Sequence, residues 1–307
     1  MGNQSINVIG ELINNSYGRA RNAWKARDAS AFAQLAKIQT ELGAKYITLN
    51  LDGTQMISVK AQEMLDFLPE VVPAIQAATD LPISFDNPAI AFHKEGLKHY
   101  DRKRGGQPII NSIAASRENL DEFIQLVGEY DTRVIVMASE YFKEDGASSQ
   151  CFNPKDAHEI TRYFVERLIN EAGRTVDDII VDPGLAPVGA DTYGLINIGL
   201  DAMKLIHEDS DLDGIHMVVG LSNFAWGTPK EVRHNLERAY LTLGQQYGLD
   251  YALANVEKNP VPLDINDPLV AQLQAALEQG RIIGDESQED AGFRQAEAIL
   301  ELCLIED

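Results

Sequence analysis

Eight short apolar runs, each too short for a globular helix and each followed by a stretch of helical period, constrain this chain more than any other feature of it. They cover residues 6–9, 46–51, 83–85, 108–110, 133–138, 178–181, 215–219 and 251–254. Among the intervening segments, ASAFAQLAKIQTEL is ended by Gly43, and SVKAQEMLDFL continues across Pro73. In ENLDEFIQLVGEY the expected N-cap is Ser116; NPKDAHEITRYFVERLINEAG has Asn153 as cap, Pro154 in the first turn and Gly173 as stop. Strand and helix alternating eight times imply a parallel sheet, and eight units are the number that closes a barrel. The expected fold class is therefore α/β, a single (β/α)8 TIM barrel. One domain is expected over residues 1–307, with a helical extension from about residue 264 and an acidic GDESQED stretch (284–290) as a solvated loop before a last helix.

A chain of 307 residues is long enough for one such barrel. Its 47 acidic against 26 basic residues give a formal charge of −21, which repels nucleic-acid phosphates and anionic membrane surfaces, so neither is expected as a partner. The two cysteines, Cys151 and Cys303, are far apart and in no CxxC arrangement; a reducing, cytoplasmic location is expected. The opening MGNQSINVIGELINN lacks the basic-then-apolar pattern of a leader, and MGNQS misses the myristoylation pattern because Ser5 falls one position early.

In a barrel of this kind the working face is the C-terminal end of the strands, so the first polar residues after each run are the informative ones. They are Glu11 and Asn14, Asn50 and Asp52, Asp86 and Asn87, Asn111 and Ser112, Asp182, Ser222 and Asn223, and Asn255. Singly, each is more often a helix cap or turn former. Together they describe a ring of acceptors and amides with no Arg or Lys at those positions. Such a ring suits a flat heterocycle carrying several N–H donors in a row, such as the aminopyrimidinone of a pterin. His93 and His99, with Lys94 and Lys98 between them, are read as a solvated helix end; no spacing suggests a metal site, and none is expected.

The stretches IGELIN, GAKYITLNLDG, SFDN, IINSIAAS, VIVMA, DDIIVDPG and VVGLSNFAWGTPKEVRHNLERAYL, in this order and spacing, resemble the pterin-binding barrel of tetrahydrofolate:corrinoid-protein methyltransferases. That family includes the folate-binding region of cobalamin-dependent methionine synthase, and the similarity extends from about Ile9 to Asn255. The resemblance implies that Asp86, Asn111 and Asp182 hold the pterin ring and that Asn223 reaches N5, the atom that gains or loses the methyl group. Gly220, Ser222, Glu11, Asn14 and Asn50 join the binding set, and Asn223, Asp86 and Asp182 carry the catalytic roles. The activity it implies is methyl transfer between a separate corrinoid protein and tetrahydrofolate, leaning towards methylation of tetrahydrofolate. A stand-alone component of an anaerobic system is expected.

The cobalt-ligating pattern D-x-H-x-x-G is absent; DGIHMVVG has the wrong spacing and places His216 in a strand, so the corrinoid is expected on a partner protein. Barrels of this family commonly pair, and the stripe Leu269, Leu273, Ala276 and Leu277 is the expected homodimer face. The chain departs from the family at Thr48, often Asp, and at Leu12, often Arg; Phe224 and Trp226 have no fixed counterpart. Dihydropteroate synthase is the alternative: it shares the barrel and the DPG turn, but its serine–arginine–lysine run and closing arginine–histidine motif are here GLSNF and LANVE. A non-catalytic pterin-binding protein is a further alternative, and a metal-dependent barrel hydrolase is disfavoured by the histidine placement.

Overall fold

The computed structural model describes residues 5–304. Residues 1–4, which carry most of the MGNQS opening, and residues 305–307 lie outside the described residues. The elements run β1 (Asn7–Gly10), α1 (Gly18–Ala26), α2 (Ala29–Glu41), β2 (Tyr46–Leu49), α3 (Ala61–Ala78), β3 (Ile83–Asp86), α4 (Ile90–Lys98), α5 (Arg102–Gly105), β4 (Ile109–Ile113), α6 (Leu120–Glu129) and β5 (Arg133–Met137). There follow β6 (Glu140–Phe142), β7 (Ser148–Gln150), α7 (Pro154–Ala172), β8 (Ile179–Asp182), α8 (Leu195–Glu208), β9 (His216–Gly220), α9 (Leu221–Phe224), α10 (Lys230–Gln245), β10 (Tyr251–Ala254), α11 (Pro268–Glu278) and α12 (Gln288–Cys303). All eight apolar runs become strands of one closed parallel barrel, in the order β1-β10-β9-β8-β5-β4-β3-β2.

The barrel follows from side-chain parity, because successive residues of a strand face opposite ways. One parity (Ile9, Ile109, Ile135, Ile180, Val218) forms a separate apolar cluster inside the barrel. The other (Ile47, Phe85, Ile110, Val134, Val219) joins the larger core between the barrel and its helices. The N-terminal end is closed by polar residues: Arg133 donates to Tyr251 Oη (2.9 Å) and Asp177 (2.9 Å), and His216 Nδ1 donates to Asp250 (2.5 Å). Capping follows the sequence for α7, where Asn153 accepts from Lys155 N, Pro154 opens the helix and Gly173 ends it in the left-handed region.

The structure corrects three local readings and adds one element. Ser116 does not cap α6; the helix starts at Leu120, and the Ser116 hydroxyl donates to Glu140 at 2.8 Å. His93 is not solvated but completely buried, its Nε2 bonded to the Asn87 carbonyl (2.8 Å) and its ring edge-on to Phe92 and Phe123. Leu273, Ala276 and Leu277 of the expected dimer stripe are buried within the chain, where α11 packs against α8, α10 and α12. The antiparallel pair β6–β7 was not anticipated; its signal was Asp145–Gly146 between two short runs, with Gly146 at φ +82°.

Candidate functional site

The parity that fills the barrel also builds its mouth. Two residues beyond Ile109, Ile135, Ile180 and Val218 stand Asn111, Met137, Asp182 and Gly220, at the C-terminal ends of β4, β5, β8 and β9. Asp86 lies opposite Asn111 in the β3–β4 register, and Asp182 lies opposite Met137 in β5–β8. Two carboxylates thus flank one amide around the mouth. The Asn111 side chain is 9% exposed and makes no hydrogen bond among the described residues.

Asp86 is fixed by neighbours on β2 and its loop. Asn50 Nδ2 donates to Asp86 Oδ2 (3.1 Å), Asn50 Oδ1 accepts from Asp52 N (3.0 Å), and Asn87 Nδ2 donates to Asp52 Oδ1 (2.6 Å). Behind them, the fully buried Asn15 donates to the carbonyls of Leu51 (2.9 Å) and Asp52 (3.1 Å), tying the first strand's loop to the second's. Burial pushes the Asp86 pKa up to about 6; the Asn50 bond and Arg117 pull it down, and the charges of Asp52 and Glu11 add to the rise. Asp182 is likewise pushed up to about 6 by burial, against one bond from Gly184 N at 2.8 Å. One bond leaves most of a carboxylate's acceptor capacity free. Beneath Asn50, Thr48 and Ser84 stand opposite each other, both buried, with hydroxyls that find no partner among the described residues.

On the other side of the mouth Glu11 holds the turn that follows β9. Ser222 Oγ donates to Glu11 Oε1 at 2.5 Å, and Tyr17 Oη donates to the same oxygen. Burial raises the Glu11 pKa even though both bonds and Lys258 oppose the rise. The next residue, Asn223, is exposed, and its amide makes no side-chain hydrogen bond among the described residues. A Cβ at Gly220 would stand 3.0 Å from Asn223 Nδ2, so glycine leaves the space that the amide occupies. Asn223 does not cap the following helix, whose N-cap is Pro229. Phe224 is buried against Tyr240, ring centroids 4.5 Å apart, whereas Trp226 is 68% exposed on the rim.

The structure therefore brings Asp86, Asn111, Asp182, Gly220 and Asn223 to one opening, with Asn50, Glu11 and Ser222 bonded behind it. Two further strand-end residues make local turn bonds: Asn14 Oδ1 accepts from Ser16 N (2.8 Å), and Asn255 Oδ1 accepts from Glu257 N (2.9 Å). Sequence reasoning missed Asn15, Tyr17 and His93 as supports. It also missed Arg117, which lies on the β4–α6 loop past the first polar residues that follow the strand. No cluster of three or more His, Cys, Asp or Glu able to hold a metal occurs among the described residues.

Fold and mouth together define a (β/α)8-barrel protein whose opening offers paired acceptors and amides to a flat, donor-rich ring. The chain belongs to the pterin binding enzyme family, whose pattern matches residues 11–255. It is 24% identical over 285 residues to the methylcorrinoid:tetrahydrofolate methyltransferase of Eubacterium limosum, covering 90% of this chain and 97% of that protein. Solved structures with the same fold include 7,8-dihydropteroate synthase from Vibrio fischeri ES114, with TM-score 0.57, 19% identity, and 92% of this chain and 96% of that chain covered. Dihydropteroate synthase from Coxiella burnetii, in complex with pteroic acid, superposes with TM-score 0.57 and 20% identity over 83% of this chain and 90% of that chain.

Proposed function

We propose that this protein moves a methyl group between a separate corrinoid protein and N5 of tetrahydrofolate, and that it works to methylate tetrahydrofolate. The observation that carries the reading is Asn223: an exposed amide with no side-chain partner among the described residues, seated beside Gly220 on a turn clamped by Ser222 to Glu11. The methyltransferase relative supports the same class.

In this reading Asp86, Asn111 and Asp182 receive the N–H groups of the pyrimidinone and orient the ring. The amide of Asn223 then faces N5 and, by rotation, accepts from N5–H or donates to its lone pair without itself changing charge. A corrinoid held by the partner supplies the methyl group and retains the bonding pair, N5 forms the new bond, and the N5 proton leaves to solvent. Most of the acceleration comes from holding two large cofactors in line, with the Asn223 contact adding to it.

Dihydropteroate synthase activity would require cations for a pyrophosphate at the ends of β9 and β10, where GLSNF and LANVE provide none. Thermal unfolding separates the two readings: tetrahydrofolate should raise Tm and pterin pyrophosphate should not. Turnover with a methylated and with a cobalt(I) corrinoid protein, assayed in both directions, then tests the transfer, and no transfer either way overturns it. Pairing of two copies remains part of the proposal, on a surface other than the buried α11 stripe. Light scattering that gives a monomer of 33.9 kDa at micromolar concentration removes it.

A further inference from the structure

Asn223 follows β9 and Asp86 ends β3, strands four places apart in the eight-stranded ring, yet the loop from β1 to α1 reaches both sides. Towards Asp86, Asn14 pairs with Asn50 as a parallel bridge, and Asn50 N donates to the Ile13 carbonyl (3.0 Å). Asn50 is the residue whose side chain donates to Asp86. Towards Asn223, the same segment supplies Glu11, whose Oε1 accepts from both Ser222 and Tyr17. Between these two ends Tyr17 opens α1: its N–H donates to the Asn14 carbonyl (2.9 Å), and its carbonyl accepts from Arg21 N (3.0 Å). Arg21 Nη1 closes the loop by donating to the carbonyls of Asn15 (2.9 Å) and Ser16 (2.6 Å).

Tyr17 stands at the N-cap of α1 without making a side-chain capping bond there; its hydroxyl goes to Glu11 instead. Glu11 is buried, and Tyr17 and Ser222 are its side-chain hydrogen-bond donors among the described residues. A long carboxylate side chain held by Ser222 alone would move with the very turn it has to hold. Tyr17, a rigid ring seated on a helix start, supplies the fixed end of the clamp. We propose that Tyr17 is a positioning residue of this mouth: through Glu11 and Ser222 it fixes the turn that presents Asn223, and through Asn14 it ties that turn to the Asn50–Asp86 side. It touches no reacting atom. Its use in methyl transfer rests on the proposed function, whereas its hold on the Asn223 turn does not.

The test is the NMR backbone order parameter at Asn223 in the protein alone. Tyr17→Phe keeps the ring and removes the hydroxyl, Ser222→Ala breaks the other bond to the same oxygen, and Glu11→Gln keeps a carbonyl oxygen that can accept from both hydroxyls. The order parameter is expected near the rigid value of about 0.85 in the parent and in Glu11→Gln, and lower by about 0.1 to 0.2 in Tyr17→Phe and in Ser222→Ala. Adding Tyr17→Phe to Ser222→Ala is expected to lower it no further. A parent order parameter in Tyr17→Phe, even with an early Tm, overturns the proposal, as does a further loss in the double variant. Ser222→Ala with the parent value overturns it even where Tyr17→Phe fails to fold. With tetrahydrofolate, Tyr17→Phe is expected to slow single-turnover methyl transfer about ten-fold while affinity stays within about two-fold of the parent. A parent rate overturns its use in the reaction. No transfer by the parent in either direction would instead overturn the proposed function and leave the order parameters standing.

Discussion

Asp86 and Asp182 are ionisable groups placed where ionisation is unfavourable, and that gives them a signature in stability. Both have an ordinary value of 3.8 and are raised to about 6 by burial. The folded protein therefore binds protons more tightly than the unfolded chain between about pH 4 and 6, and each acid's contribution to stability falls as pH rises through that window. Asp86→Asn and Asp182→Asn should raise Tm at pH 7 by roughly 2 to 4 °C each, a gain that disappears below about pH 4. Scanning calorimetry at both pH values checks it, and a lower Tm at pH 7 would show that the native contacts outweigh desolvation. The same residues are the proposed acceptors, so truncation to Ala should weaken tetrahydrofolate by roughly 1.5 to 3 kcal/mol in calorimetric titration. Asn223→Ala should instead leave Tm unchanged, since its exposed amide has no side-chain partner among the described residues, and slow single-turnover methyl transfer on the order of tens to a thousand-fold. A normal rate at saturating tetrahydrofolate would remove Asn223 from the chemistry. Asp86, Asn111, Asp182 and Asn223 were legible because parity places the residue after each apolar run at the mouth. Arg117 and His93 were not, since each reaches its neighbours by a fold-back that no local pattern records.

At the scale of elements, the four residues of α9 carry Ser222 and Asn223 of the candidate site and are held on both their apolar and their polar sides. Phe224 anchors the turn in the core against Tyr240, and Ser222 ties it to the buried Glu11. Phe224→Ala should cost about 3 to 5 kcal/mol by denaturant unfolding, whereas Trp226→Ala on the exposed rim should change stability by less than about 0.5 kcal/mol. Equal losses would mean that Trp226 packs on something as Phe224 does. The strand elements were readable because an eight-fold alternation leaves few other topologies. The dimer stripe was misread for a related reason: an amphipathic face announces that it will be buried, not by what, and α11 finds its partners in α8, α10 and α12. The β6–β7 pair escaped because three-residue strands carry too little pattern to stand out from a loop.

Across the whole molecule the barrel is polar at both ends, and the two ends should respond to pH through different groups. At the mouth the carboxylates are held up by burial; at the opposite end His216 sits between Asp250 (2.5 Å) and Asp177 (3.2 Å), beside Arg133 and edge-on to Tyr251. Burial works against its charged form and Arg133 adds to that, but the bonds and charge of Asp250 and Asp177 outweigh both, and its pKa is raised above 6.5. A histidine with a raised folded-state pKa contributes stability that is complete below about pH 6.5 and is lost as pH climbs through the folded value. His216→Gln keeps a donor for Asp250 but not the charge, so it should destabilise by on the order of 1 kcal/mol at pH 6 and by progressively less towards pH 9. Urea unfolding of both proteins across that range measures the difference directly. A difference that is flat or grows with pH would mean that His216 acts there through packing alone. Because this end lies the full depth of the apolar barrel interior from Asn223, the variant should bind tetrahydrofolate with parent affinity wherever it remains folded.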